Sequence, residues 1–572
     1  MPTMVRSTIP AAAAVLLTVL PVSAQRQDDP VITWPQKTFA EAKARYDECL
    51  RRKPFLHHWE AREVLGSLGS PEALPLLCKD YASVKEFAEY SRYTIAEVFA
   101  KRFAKRDALD AMKALRAEQR APGDVWLWYH TLRIEAKFGG EAALTEIATT
   151  DKSPLLRAAA ILALGDSGAA DLRQAVVTNC IELPKKEGER MAVLGAMTGA
   201  LFAARKDIND ENYRAALTAY IGLLGDDVKL AHIAKVQMAR HLQIIFDAPA
   251  AFADSESWLA ILARGEVKEK KRTETAAAPR FFGLETDGER MVYVVDMSDS
   301  MLKPIEPSAK PPTAPVTGPK QKKKKKGEIL DESDLPWHEI KTRWDLAREN
   351  LRISLSRLTP DKEFCVVWFG KKAGTLDACK GMTKATRANI DRVVAELDSI
   401  KASMEPDPDR PNNPIPPEGR LRGDTNLHGG LRLAFALHDK GFANNAAYVD
   451  MQALANGCDT ILLLSDGDPS VDDFVQVDKN YKESRTVKSF ERGEPADEQP
   501  ESTYSGPFVS QGIKECPTIV ADVRRMNAFR RVRLHAVGLG EANMELMQRL
   551  AAIGNGQSIT VGKKADDGAA KK

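Results

Sequence analysis

Met291-Val292-Tyr293-Val294-Val295 runs straight into Asp296-Met297-Ser298-Asp299-Ser300-Met301. The first five residues form an apolar run of the kind found in a strand buried on both faces of a sheet. The next stretch places three oxygen-bearing side chains, Asp296, Ser298 and Ser300, at alternate positions of a turn just beyond that strand. Carboxylate and hydroxyl oxygens converging on one point suit a hard cation such as Mg²⁺, which keeps several waters and rarely receives a full protein cage. Two later stretches extend the theme. Gly423-Asp424-Thr425-Asn426-Leu427 opens a predicted helix and offers the Thr425 hydroxyl, and Leu464-Ser465-Asp466-Gly467 ends another apolar run and presents Asp466.

Outward from these stretches, strand and helix signals alternate. Phe364–Phe369, Thr460–Leu464 and Val532–Val537 read as further strands, and helices are expected over Trp344–Leu358, Lys384–Ile400, Leu427–Leu437 and Met544–Ile553. Such alternation predicts a doubly wound α/β domain, its mostly parallel sheet covered on both faces. Ligands of such sheets bind beyond the carboxyl ends of the strands. The domain is set at residues 280–564. Two insertions interrupt it. Residues 303–336 are rich in proline and lysine, include the run Lys322–Lys326, and are expected to be disordered because they cannot bury enough apolar surface. Residues 471–515 are mixed and polar, with partial order expected, and 565–572 form a charged tail.

Asp-x-Ser-x-Ser after the first strand, a threonine before a helix and Ser-Asp-Gly after a later strand resemble, in residues, order and context, the von Willebrand factor A domain with its metal-ion-dependent adhesion site. Leu539-Gly540 and residues 543–556 look like that family's last strand and helix. The resemblance covers roughly half of the chain. It implies a Rossmann-like fold and a Mg²⁺ or Mn²⁺ ion held by the hydroxyls of Ser298, Ser300 and Thr425, with Asp296 and Asp466 binding directly or through water. A carboxylate of a protein partner would complete the shell. The chain departs from the pattern at Asp299, where the family usually has glycine. Aspartate tolerates unusual backbone angles better than most residues, so the departure bears on the kind of ligand more than on metal binding.

The half before this domain reads differently. Residues 34–265 are helical nearly throughout, with apolar residues at three- and four-residue spacing. Ser70 precedes Pro71 and Ser153 precedes Pro154, each a helix start with a capping hydroxyl and proline in the first turn. Similar units recur, an apolar helix, a glycine-containing turn and a second apolar helix, as in Ala61–Leu74 and Ala160–Leu172. They resemble degenerate HEAT-like repeats, so the half is predicted to be an all-α array that leaves extended faces free. Residues 266–279, charged and then small, read as a linker. His57-His58 has no metal-ligand partner set in the sequence and reads as a surface pair.

The chain has 572 residues, 44% hydrophobic and 28% charged, with a formal net charge of +2. Two to four soluble domains are expected, and no overall charge argument points to a specific nucleic-acid partner. Residues 1–24 read as a signal peptide: Arg6, an apolar run from Ile9 to Val22, and the small-x-small pattern Val22-Ser23-Ala24. Gln25 in place of cysteine argues against lipid attachment, and no later stretch is long enough to span a bilayer. The mature protein is expected to be exported: periplasmic, cell-surface or extracellular. Seven cysteines without a C-x-x-C pair exclude a zinc ribbon. Cys365 and Cys379 flank a predicted hairpin, as two buried thiols or as a facing pair. The leading expectation is a metal-dependent adhesion or scaffold protein and not an enzyme. The alternatives are a metal-dependent hydrolase, for which His428 is the only candidate base, and a structural envelope protein with a vestigial metal site.

Overall fold

Thr38 caps the first helix through a capping box with Glu41, and from there the chain of the computed structural model is helical to Arg264. The structure describes residues 34–248, 250–264, 278–309, 329–400, 406–407, 410–414, 420–421, 423–443, 449–481, 508–509 and 516–562. The expected signal peptide, most of the linker, the lysine run and the tail lie outside them. Thirteen α-helices, α1 (Phe39–Leu50) to α13 (Ser255–Arg264), fill the first half. They pack in two rows. α2 (Phe55–Gly66), α4 (Ala88–Arg102), α6 (Val125–Ala136), α8 (Pro154–Leu164), α10 (Glu187–Ala203) and α12 (His232–Ile245) stack in succession, each on the next of the series. α7 (Glu141–Thr150), α9 (Ala169–Ile181), α11 (Glu211–Gly222) and α13 form a second row. This is a repeat-like array, in which each unit buries its apolar face on its neighbours.

The second half begins with a hairpin, β1 (Arg280–Phe281) against β2 (Leu284–Glu285). The main sheet comes next: β3 (Arg290–Asp296), β4 (Glu363–Phe369), β5 (Ala373–Thr375) and β6 (Thr383–Lys384), with short hairpins β7 (Pro406–Asp407) to β8 (Arg410–Pro414) and β9 (Leu437–His438) to β10 (Gly441–Phe442) standing apart, then β11 (Thr460–Ser465), β12 (Arg533–Leu539) and β13 (Ser558–Val561). The order across the sheet is β13-β12-β11-β3-β4-β5, parallel from β13 to β4, with β5 and β6 antiparallel to β4. Successive side chains of β3 point to opposite faces. Tyr293 hydrogen-bonds Ser354 of α14 (Arg343–Ser356) at 2.7 Å, while Val294 meets α16 (Leu427–Ala436) at Gly430. Helices therefore cover both faces of β3. Gly430 permits this approach: a Cβ there would lie 2.8 Å from the Phe369 ring and 3.1 Å from Val294.

The array's faces are only partly free, because the row containing α2 to α12 is covered by the sheet half. Phe55 of α2 stacks on Phe474 at 4.2 Å, and Tyr90 of α4 meets the same ring at 4.8 Å. The Arg525 guanidinium lies 3.7 Å from the centre of Tyr93, and Trp126 packs on Phe529. Arg531 Nε donates to the Gly195 carbonyl of α10 at 3.0 Å, and Gln237 Nε2 of α12 donates to Arg530 O at 3.0 Å. Arg240 pairs with Asp287 at 2.9 Å and with fully buried Asp459 at 3.4 Å. Phe474 and Phe508 belong to the insertion 471–515, so its described ends are part of the core. The ends of insertion 303–336 are also packed, since Ile305 and Leu335 are buried and Pro304 bridges Thr342. Polar composition hid these few apolar anchors. Cys365 and Cys379 are buried thiols joined by hydrogen bonds, Cys365 Sγ donating to Cys379 O at 3.0 Å. His57 and His58 are both buried, against the surface reading, because α2 is enclosed by α1, α4 and the sheet half.

Candidate metal centre

The strand order reverses at β3: β4 lies on one side of it and β11 on the other. Beyond the carboxyl ends of such neighbouring strands the connections diverge and leave a crevice. Asp296 is the last residue of β3, and Asp466 comes directly after the last residue of β11. Both are buried, as is Ser298, and Ser300 is half-buried at the mouth. The four side chains form one connected set. Asp296 Oδ1 accepts from the Ser298 amide at 2.8 Å, Ser298 Oγ lies 2.9 Å from Ser300 Oγ, and Ser300 Oγ donates to Asp466 Oδ1 at 2.6 Å. Asp296 Oδ2 accepts from Ser465 Oγ at 2.8 Å and from the Asp466 amide at 3.4 Å.

Thr425 arrives from the third stretch. Asn426 caps α16, its side chain accepting from the Gly429 amide at 2.8 Å, and the Asn426 amide donates to Gly370 O beyond β4 at 2.8 Å. Gly423, at φ +73°, turns the chain so that its carbonyl accepts from the Asp299 amide at 3.2 Å. The Thr425 backbone exchanges hydrogen bonds with Ser470, 2.8 Å from its amide to Ser470 Oγ and 3.1 Å from the Ser470 amide to its carbonyl. The loops after β3, before α16 and after β11 are thus tied together. Asp299 opens a 3₁₀ turn, Asp299–Leu302, and is not among the described residues with positive φ. An aspartate therefore fits this turn without strain.

Burial pushes the Asp296 carboxyl up to about 7, and the nearby Asp466 carboxylate adds to the effect against the hydrogen bonds from Ser298 and Ser465. Two carboxylates held close in a dry site cannot both carry charge without a cation. One cation is built in: Arg343 Nη1 donates to Asp466 Oδ2 at 2.8 Å, and the same guanidinium pairs with Glu306. Arg343 is the first residue of α14, fixed by the capping box of Thr342 and Asp345. Neither Arg343 nor Ser465 was expected at the site. Ser465 was legible as the neighbour of Asp466, whereas nothing in the local sequence marks Arg343 as pointing toward a residue so distant in the chain.

The oxygen set has the carboxylate and hydroxyl chemistry that suits a hard cation. The Ser298–Ser300 and Ser300–Asp466 separations, 2.9 and 2.6 Å, are those of ordinary hydrogen bonds. His428 is committed elsewhere. It is fully buried, its Nε2 lies 2.8 Å from Asp522 Oδ2, and its ring stacks on Phe508 at 4.2 Å. Burial lowers its pKa, opposed by Asp522. No protein-family model matches the chain, and no curated protein matches its sequence.

Proposed function

We propose that the second half is a von Willebrand factor A-type domain of an exported binding protein, which captures a protein partner through a divalent cation, Mg²⁺ or Mn²⁺. The observation that carries this reading is the meeting of Asp296, Ser298, Ser300 and Asp466 at the point where the strand order reverses, with the Thr425 loop tied to the same turn. Ser298, Ser300 and Thr425 would hold the ion through neutral oxygens, and Asp296 and Asp466 would bind it directly or through water. The ion would supply an electrophilic position for a carboxylate oxygen of the partner. Arg343 orients Asp466 and offsets part of its charge, so that a further acidic group can approach. Ser465 and the Ser298 amide hold both oxygens of Asp296.

The buried contact between the halves supports a scaffold role, because it presents the metal loops and the outer helix row as parts of one body. Among the described residues, no helix is long and apolar enough to cross a membrane. Capture of proteins from the native envelope by immobilised full chain, in Mg²⁺ and in chelator, tests the reading. Retention in Mg²⁺ that disappears in chelator and in Asp296→Ala is expected. Identical retention in all three would overturn it.

A further inference from the structure

α1 and α2 form the first helical hairpin, and three side chains meet inside it. Cys49 lies in the last turn of α1, and His57 and Glu60 are three residues apart on one face of α2. Cys49 and His57 are fully buried, and Glu60 is 7% exposed. One ligand atom from each, Cys49 Sγ, an imidazole nitrogen and a Glu60 carboxylate oxygen, can be chosen so that all lie within 4.8 Å of one another. Neither ring nitrogen of His57 has a hydrogen-bond partner, and His57 Nδ1 faces Glu60 Oε2 at 3.7 Å. A buried imidazole left in this way costs about 1–3 kcal/mol. Protein interiors rarely carry such a group unless an ion or water satisfies it.

The surroundings are those of a ligand set. Glu60 Oε1 is held by Arg45, 2.8 Å from Nη2 and 3.2 Å from Nε, which leaves Oε2 turned toward the histidine. Outer partners of this kind orient metal-binding carboxylates. Two neighbouring groups converge on Asp80: Tyr46 OH donates to Asp80 Oδ2 at 3.1 Å and Arg62 Nη2 to Asp80 Oδ1 at 3.1 Å. Sulfur, nitrogen and one oxygen form a borderline-soft set, suited to Zn²⁺ and unsuited to Mg²⁺ or Ca²⁺. Bonds of about 2.0–2.3 Å in a tetrahedron give ligand–ligand edges of roughly 3.3–3.8 Å. The His57–Glu60 separation is already within that range, and closing the remaining edges takes a shift of about 1 Å.

We propose that Cys49, His57 and Glu60 bind one Zn²⁺ ion that clamps the α1–α2 hairpin, with water in the fourth position. The Cys49 thiol gives its proton to solvent on binding. The clamp lies in the first helix pair of the array among the described residues. It also fixes α2, whose Phe55 stacks on Phe474 of the sheet half. The site shares no ligand with the oxygen cluster and does not depend on the function proposed above.

The test is a Co²⁺ titration of the full chain after chelator treatment. A thiolate-to-cobalt charge-transfer band saturating at one equivalent, bleached by Zn²⁺ and untouched by excess Mg²⁺, is expected. Asp296→Ala and Cys78→Ser should keep the band, and Cys49→Ser should lose it. Absence of the band in the wild type, or its survival in Cys49→Ser, overturns the proposal. If Cys49→Ser does not fold, X-ray absorption of the Zn²⁺-loaded wild type decides. One sulfur scatterer beside nitrogen and oxygen supports the site, and oxygen and nitrogen alone refute it.

Discussion

Gly195 sits within α10 where that helix meets the sheet half, and replacing it with alanine isolates the energy of that contact. A Cβ at this position would lie 2.8 Å from the Phe529 carbonyl carbon and 3.2 Å from its Cα. Both are backbone atoms, which cannot swing aside as a flexible side chain would. The Gly195 carbonyl also accepts the 3.0 Å hydrogen bond from Arg531 Nε. In a helix that touched nothing, glycine to alanine would stabilise by about 1 kcal/mol. Overpacking costs about 1–3 kcal/mol, and losing a hydrogen bond from a charged donor about 1.5–3 kcal/mol. The net expectation is a loss of about 1.5–5 kcal/mol. Gly222, at the end of α11, has nothing within 4 Å of the same virtual Cβ and serves as the control. Urea unfolding of the full chain, monitored by circular dichroism, measures both. Gly222→Ala should be neutral or slightly stabilising and Gly195→Ala clearly destabilising. Equal stability of the two variants would refute the packing of α10 on the Phe529–Arg531 turn.

Three further outcomes are expected. Phe474→Ala should cost about 3–5 kcal/mol, because its ring joins Phe55 and Tyr90 of the array to Phe508; a loss below about 1 kcal/mol in the same assay would contradict that contact. Arg343→Gln leaves Asp466 buried without its ion pair and should cost about 3–5 kcal/mol in chelator, with part of the loss recovered in millimolar Mg²⁺; equal losses with and without Mg²⁺ would contradict the shared role of that carboxylate. Asp296 has a folded pKa raised to about 7 from 3.8. In the metal-free protein, its protonated form therefore contributes stability that is full below 3.8 and is lost as pH rises toward 7. Thermal midpoints in chelator should accordingly fall from about pH 4 to about pH 7 more steeply for the wild type than for Asp296→Asn, and parallel curves would exclude the raised carboxyl.

The strands that carry the oxygen cluster were legible because they are short unbroken apolar runs: Met291–Val295, Phe364–Phe369 and Thr460–Leu464 lie within β3, β4 and β11. β13 (Ser558–Val561) gives no strand signal in the sequence. Its four residues, Ser558-Ile559-Thr560-Val561, are brief and mixed, and they pair with β12 only once the sheet exists. The packed ends of the two insertions were hidden for a related reason, since single residues such as Phe474, Phe508 and Ile305 leave no periodic signal. α2 misled in the opposite sense. His57-His58 reads as a surface pair, yet every residue of the helix is buried, because α1, α4 and the sheet half pack around it. At the candidate site, the turn residues Asp296, Ser298 and Ser300 declared themselves by spacing, while Arg343 reaches Asp466 only through tertiary packing.

Direct titration of the chelator-treated full chain with Mn²⁺, read by calorimetry or electron paramagnetic resonance, tests the central claim most closely. The ligands come from distant stretches, so the ion should bind the native state alone and stabilise it by about 2.7 kcal/mol at a hundredfold excess over Kd. One equivalent of Mn²⁺, displaced by Mg²⁺, retained in Cys49→Ser and lost in a folded Asp296→Ala variant, is the predicted result. Mn²⁺ binding that is the same in the wild type and in Asp296→Ala would contradict the account.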